Sequence, residues 1–387
     1  MKSRIGTHTH WITAISLGLA LSAQAQVTTT AFDPTGSRAT VPYAINAAGA
    51  ITGVYMDASR IGHGFVRSEL NPFAIVSFDA APGSSLTVPT SINATGSIAG
   101  SYLDENRVEH GFVRSSASPF AITSFDVPGS NATSSTAMND AGAIVGWYSD
   151  GTGTHGFVRD AASPFSITTF DPPGSTFTVP VGINAAGTIV GSYDDATGTH
   201  GFVRIGGIIT TFDPLGSVYT SVTGVNASGA IVGAYFDENF ISHGFLRGAS
   251  SPFDITTFDA GAGSSWLLAN AINSAGGITG YYADASFVTH GFVRESASPF
   301  TLTTFDPPGS VATTSVAINT DGSTTGYFQD DTGLHGFVRN VPPPPPSATS
   351  PTTIAQCQNQ GWKTLVRPNG SGFKNQGDCV QFVNTGK

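Results

Sequence analysis

Apolar and polar positions alternate in short runs along most of this chain. The stretch TSSTAMNDAGAIVGWYSDGTGTHGFVRDAASPFSITTFDPPGS, residues 133–175, shows the pattern. STAMN, AIVGWYSD, HGFVRD and FSITTFD alternate or are rich in β-branched and aromatic residues, which predicts four strands. The segments between them are turn-like. Asn139-Asp140-Ala141-Gly142 supplies residues that tolerate positive φ, and DGTGT, AASP and PPGS separate the remaining runs. Short strands joined by short turns make an antiparallel meander.

The same order of runs recurs. HGFVR appears at His63, His110, His155, His200, His290 and His335, and HGFLR at His243. Successive copies are 47, 45, 45, 43, 47 and 45 residues apart. A period of this length with four strands predicts the blades of a β-propeller. The phase of the repeats supports a ring rather than a solenoid. Phe-Asp pairs end at Asp33, Asp79, Asp126, Asp171, Asp213, Asp259 and Asp306. The first has no HGFVR before it, and the last HGFVR has no Phe-Asp after it. Residues 27–33 are therefore expected to complete the last blade. The prediction is an all-β, seven-bladed propeller with four antiparallel strands per blade, closed by its N-terminal strand, over residues 26–340.

The ends of the chain have a different character. Lys2 and Arg4 precede an apolar run over residues 11–23, and Ala23-Gln24-Ala25 fits a small-x-small cleavage pattern. Residues 1–25 are read as a secretory signal peptide, which predicts a secreted or cell-surface protein cut near Ala25. No later run is apolar enough to span a membrane. Five successive prolines in VPPPPPSATSP make residues 341–352 a semi-rigid linker. Residues 353–387 form a small module too short to bury much core, and Cys357 and Cys379, the chain's 2 cysteines, are expected to staple it. The net charge is −10 and Lys2 is the only lysine before Lys363, which argues against nucleic-acid binding. The tail, with Lys363, Arg367, Lys374 and Lys387 against Asp378, is mildly basic.

Three polar columns run through the repeats. Asp57, Asp104, Asp150, Asp195, Asp237, Asp284 and Asp330 end the second strand. The histidines named above open the third. Arg67, Arg114, Arg159, Arg204, Arg247, Arg294 and Arg339 close it. Asp and His so near each other could serve acid–base chemistry or a metal. Seven copies around a ring instead suggest a structural Asp–His bond pinning each loop, with the arginines paired to the Phe-Asp carboxylates of the next strand. The Gly53 and Gly64 columns are expected to permit close approach of blades, and the Tyr55 column to pack between them. No nucleophile motif is present, and no cofactor is expected. Calcium is the one candidate ion, because DGTGT, DDATGT and DDTGL offer suitable oxygens without a complete ligand pattern.

Function is expected where the repeats differ. The column Ala39, Leu86, Ala132, Phe177, Tyr219, Trp266 and Ala312 carries three aromatic residues in consecutive repeats. Phe177, Tyr219 and Trp266, placed on the connections between blades, form a candidate ligand-binding arc on one face.

The hairpins INAAGAITG, INATGSIAG and INAAGTIVG followed by HGFVR resemble the HAF-type extracellular repeats of bacterial exported proteins. In that family an AIN-x-x-G-x-I-x-G hairpin precedes a His-Ala-Phe strand. Here Gly follows His, and Arg stands where the family often has Trp. The resemblance covers residues 27–339, implies a secreted, β-propeller-like protein and carries over no catalytic residue. GFKNQGDCVQFV also resembles the short Cys-bracketed ends of other exported bacterial proteins. The expected function is a secreted, non-enzymatic binding or scaffold protein for an extracellular glycan, peptide or protein. The alternatives are a surface adhesin held to the cell envelope by its basic tail and an extracellular propeller hydrolase or lyase.

Overall fold

A computed structural model describes residues 27–69, 74–162, 165–250, 253–261, 264–341 and, in the C-terminal part, 351, 353–358, 361–363, 365, 367 and 372–385. The expected signal peptide and nearly all of the expected linker lie outside these residues. Residues 27–341 form one compact body, and the C-terminal part belongs to another.

The body opens with strand β1 (Thr28–Phe32). Repeat 1 follows as β2 (Ala39–Ile45), β3 (Ile51–Met56), β4 (Gly62–Arg67) and β5 (Ile75–Phe78), each antiparallel to the one before. Strands β6 to β25 carry the same order through five further repeats. Strands β26 (Ala312–Ile318), β27 (Thr324–Gln329) and β28 (Leu334–Asn340) then stand without a following outer strand of their own. Strand β1 takes that place, antiparallel to β28 with Thr28 opposite Asn340 and Phe32 opposite Gly336. The first strand of each repeat touches that of the next, and β26 touches β2.

Each repeat buries one Phe of its third strand completely, from Phe65 to Phe337. Burying such a ring contributes roughly 1.5–3 kcal/mol. The rings also bond the repeats together. Phe78, at the end of the outer strand, meets Phe112 of the following repeat edge-on with centroids 6.1 Å apart. The Arg114 guanidinium lies over the other side of the Phe78 ring, 4.9 Å from its centroid. The equivalent pair between last and first repeats is Phe32 with Phe65 at 5.9 Å, under Arg67 at 5.0 Å. In repeats 2, 3, 5 and 6 a second ring, Phe120, Phe165, Phe253 or Phe300, also stacks on the arginine.

This geometry changes the expected role of the arginines. They are cation–π partners of the preceding repeat's Phe, and burial pushes most of them below the ordinary guanidinium value. The Phe-Asp carboxylates pair with histidines instead. Of the two glycine columns, Gly53 makes room within its own repeat rather than between blades, while Gly64 serves both its own repeat and the approach of the next. A Cβ on Gly53 would sit 2.3 Å from the Val41 carbonyl oxygen, within its own repeat. A Cβ on Gly64 would press on the ring of Phe78 in the same repeat at 2.8 Å and on Pro89 of the next at 3.0 Å.

Asparagines link the hairpins that join first and second strands. Asn46 Oδ1 accepts from the Ala50 amide within its own turn, and its Nδ2 donates to the Asn93 carbonyl one repeat on. Asn139, Asn184, Asn226 and Asn273 donate onward in the same way. Asn319 donates to Asn46, returning from the last repeat to the first.

The C-terminal part has its own small core. Helix α1 (Ile354–Cys357), one 3₁₀ turn (Gly361–Lys363) and helix α2 (Gln376–Thr385) surround the expected Cys357–Cys379 disulfide. Phe373 is buried beside it, with Trp362 and Phe382 against the cluster. Arg367 pairs with Asp378 at 2.7 Å.

Phe32→Ala removes a ring shared by the first and last repeats. We expect a loss of about 3 kcal/mol in urea unfolding. Val76→Ala, at an outer-strand position half exposed to solvent, is expected to change stability by less than about 0.5 kcal/mol.

Candidate functional site

Each repeated histidine lies between two carboxylates. His63 Nδ1 is 2.8 Å from Asp79 at the end of the outer strand, and its Nε2 is 3.5 Å from Asp57 in the preceding loop. The other repeats copy this arrangement, and His335 Nδ1 reaches Asp33 of the opening segment at 2.7 Å. Tyr55 stacks on His63 within one repeat, with centroids 5.1 Å apart. Its column therefore supports the histidines as well as packing toward neighbours.

The loops are built to hold the first carboxylate. Asp57 accepts from the amides of Ser59 and Ile61. In the shorter loops a threonine intervenes: Thr152 Oγ1 bonds Asp150 at 2.7 Å and lies 3.0 Å from His155 Nε2. Amide donors hold Asp57, Asp104, Asp237 and Asp284 below the usual carboxylate range, and threonine donors do the same for Asp150, Asp195 and Asp330. For His155, His200 and His290, burial alone would lower the imidazole, but the bonded and neighbouring carboxylates outweigh it and the net shift is upward. His335 is raised chiefly by its bond to Asp33. Each of these imidazoles thus has Nδ1 bonded to one carboxylate and Nε2 within 4 Å of a second. Among the described residues no group of three His, Cys, Asp or Glu side chains is disposed to hold a metal ion.

The aromatic departures lie elsewhere on the molecule. Phe177 opens strand β14 (Phe177–Ile183), Tyr219 lies in β18 (Ser217–Val225) and Trp266 opens β22 (Trp266–Ile272). They belong to the inner strands rather than to the connections where they were expected. All three stay open to solvent, at 45%, 42% and 44% exposure. Phe177 and Tyr219 share a cleft of about 250 Å³ with Ser192, Asp194, Thr199 and Ser221. Asp194, which lines the cleft, accepts from Thr199 Oγ1 at 2.6 Å. Trp266 is not part of that cleft and packs toward Tyr281, 6.2 Å away.

Sequence reasoning missed two further rings. Phe240 and Phe287 occupy the tips of the loops before the third strand in repeats 5 and 6, at 78% and 80% exposure. Both have left-handed backbones, with φ of 58° and 62°, which costs a bulky residue roughly 1–2 kcal/mol. The signal was available in Asp-x-x-Phe, because Arg60 and Arg107 hold the same position elsewhere. Asp194 was legible as well, since the other repeats place Met56, Leu103, Ser149, Phe236, Ala283 and Gln329 there.

No family model matches the chain, and no curated protein matches it. Solved structures do. YCF48 bound to the D1 peptide is 9% identical with a TM-score of 0.50, covering 81% of this chain and 96% of that one. The six-bladed Aleuria aurantia lectin is 12% identical with a TM-score of 0.41, covering 71% and 98%. TolB from Acinetobacter baumannii is 10% identical with a TM-score of 0.46, covering 76% of this chain, which spans 64% of TolB's length. The likeness is one of fold, and the chain is a β-propeller.

The Asp–His–Asp bridges predict a stability optimum on the acid side of neutrality. Imidazoles raised by folding stabilise the folded state fully below about pH 6.5, and this contribution is lost as pH rises through their higher folded values. The lowered aspartates contribute above about pH 4 and lose their effect as pH falls further. Melting temperature followed by circular dichroism should therefore peak between about pH 4 and 6.5 and decline toward pH 8.5. A flat alkaline limb would contradict the bridges' role.

Proposed function

We propose that the chain is an exported, non-enzymatic binding protein of the HAF-repeat type. Its seven four-stranded repeats are the blades of a closed propeller, with β1 completing the last. The β1–β28 pairing and the Asn319–Asn46 bond support that closure. The resemblance of its repeats to those of exported proteins supports the family and the location.

The observation that carries the binding function is the contrast between shared and unshared residues. The shared polar groups are spent on one another, His on Asp, Asn on the next turn and Arg on Phe. The unshared aromatics of repeats 4 to 6 are instead left exposed, with Phe177 and Tyr219 framing a cleft beside Asp194. Aromatic anchors beside a few oriented polar groups are how proteins hold an extracellular glycan, peptide or protein partner. Asp194 adds an acceptor for hydroxyl or ammonium donors.

The test is a glycan and peptide array probed with the exported chain, followed by affinity measurement on the best ligand. Phe177→Ala, Tyr219→Ala and Trp266→Ala combined, with the fold checked by circular dichroism, should weaken binding by about a hundredfold or more. Unchanged affinity would sink this reading.

A further inference from the structure

A second cavity, of about 620 Å³, opens among the inner strands. That is within the roughly 300–1,000 Å³ typical of small-molecule sites. Three tyrosines line it: Tyr281 from repeat 6, Tyr327 from repeat 7 and Tyr43 from repeat 1. None belongs to the repeated Tyr55 column. Where Tyr281 and Tyr327 stand, the other repeats carry Val54, Ser101, Trp147, Ser192 and Ala234. Where Tyr43 stands, they carry Thr90, Thr136, Val181, Thr223, Asn270 and Val316.

The hydroxyls of these three differ from the repeated ones. Tyr102 donates to Ser124 at 3.0 Å, and Tyr282 lies 3.2 Å from Thr304. Tyr43, Tyr281 and Tyr327 have no hydrogen-bond partner among the described residues. They are also close together. Burial first, and then the Tyr327 phenol, raises both Tyr43 and Tyr281 above the ordinary phenol value.

The rest of the lining narrows the ligand. It contains Asn270, Thr223, Thr314 and Ser221 among aliphatic residues, and no Asp, Glu, Lys, Arg or His. A charged ligand would lose its hydration there without a counter-charge. A purely apolar one would desolvate three phenol hydroxyls and give them nothing in return. A sugar ring meets both demands, with C–H faces for the aromatic rings and hydroxyls for the phenols.

We propose that the cavity framed by Tyr43, Tyr281 and Tyr327 binds an uncharged saccharide unit, beside the Phe177–Tyr219 cleft, with which it shares Val181, Ser221 and Val222 but none of its aromatic rings. Titration calorimetry on the full chain tests it, using maltotetraose, cellotetraose, mannotetraose and chitotetraose, with tetragalacturonate as the charged control. At least one uncharged oligosaccharide should bind with Kd below about 1 mM, and the charged control should not. Tyr281→Ala and Tyr327→Ala should each weaken that binding about tenfold or more. Tyr281→Phe and Tyr327→Phe keep the rings and the packing, and should each cost about threefold to tenfold through the lost hydroxyl. Phe177→Ala with Tyr219→Ala should leave it unchanged. Failure of all four neutral oligosaccharides to bind, or equal binding of the charged one, would overturn the inference. So would binding that ignores the tyrosine variants. If such binding is lost with Phe177 and Tyr219 instead, the sugar belongs to the Phe177–Tyr219 cleft, and the general binding function survives.

Discussion

The phenyl ring at the end of each outer strand is the contact on which the assembly depends. Phe78 is gripped by its own repeat, where Gly64 leaves room for the ring, and by the next, through Phe112 and Arg114. Adding a Cβ at Gly64 or removing the guanidinium would loosen two repeats at once. The aspartate next in sequence, Asp79, reaches His63 from the same strand end. The two short motifs HGFVR and Phe-Asp are thus halves of one joint: His takes the Asp, and Gly, the next Phe and the next Arg enclose the ring. Repetition of the joint explains why the motifs recur almost unchanged.

A second tier of contacts lies at the inner hairpins. Asn46 satisfies its own turn with Oδ1 and its neighbour's carbonyl with Nδ2, and five of its counterparts also donate onward, so one side chain shapes a loop and orders its place beside the next. The bond from Asn319 to Asn46 and the β1–β28 pairing join residues from opposite ends of the body. Contacts of such long sequence separation tie the stability of the first repeat to that of the last. They leave few repeated polar groups free for a ligand, which moves attention to the positions where the repeats disagree.

Those positions were only partly legible. Phe177, Tyr219 and Trp266 stand out in an aligned column, because a ring replaces a small or aliphatic residue in three successive repeats. Their grouping was not visible there. Phe177 and Tyr219 share a cleft, while Trp266 packs toward Tyr281 on the neighbouring strand. Tyr43 and Tyr327 lie 284 positions apart in the chain, and only the return of the last repeat to the first puts both on one cavity. Charge alone pairs the arginines with carboxylates. In the structure the nearer partner is an aromatic face, since the carboxylates are already engaged by histidine.

What the sequence determined by itself is the local order: four strands per repeat, the turns between them, the phase that leaves β1 without a local partner, and the cysteine pair of the tail. The strands and turns follow from a period-two pattern and from residues that favour particular backbone angles, both of which act over a few positions, and the cysteine pair follows from the chain having 2 cysteines. Tertiary structure alone decided which face each side chain shares and with whom. Partner choice depends on distances across strands and between repeats, and a series of 5.8 to 6.5 Å contacts between Phe residues of neighbouring repeats has no trace in either repeat read singly.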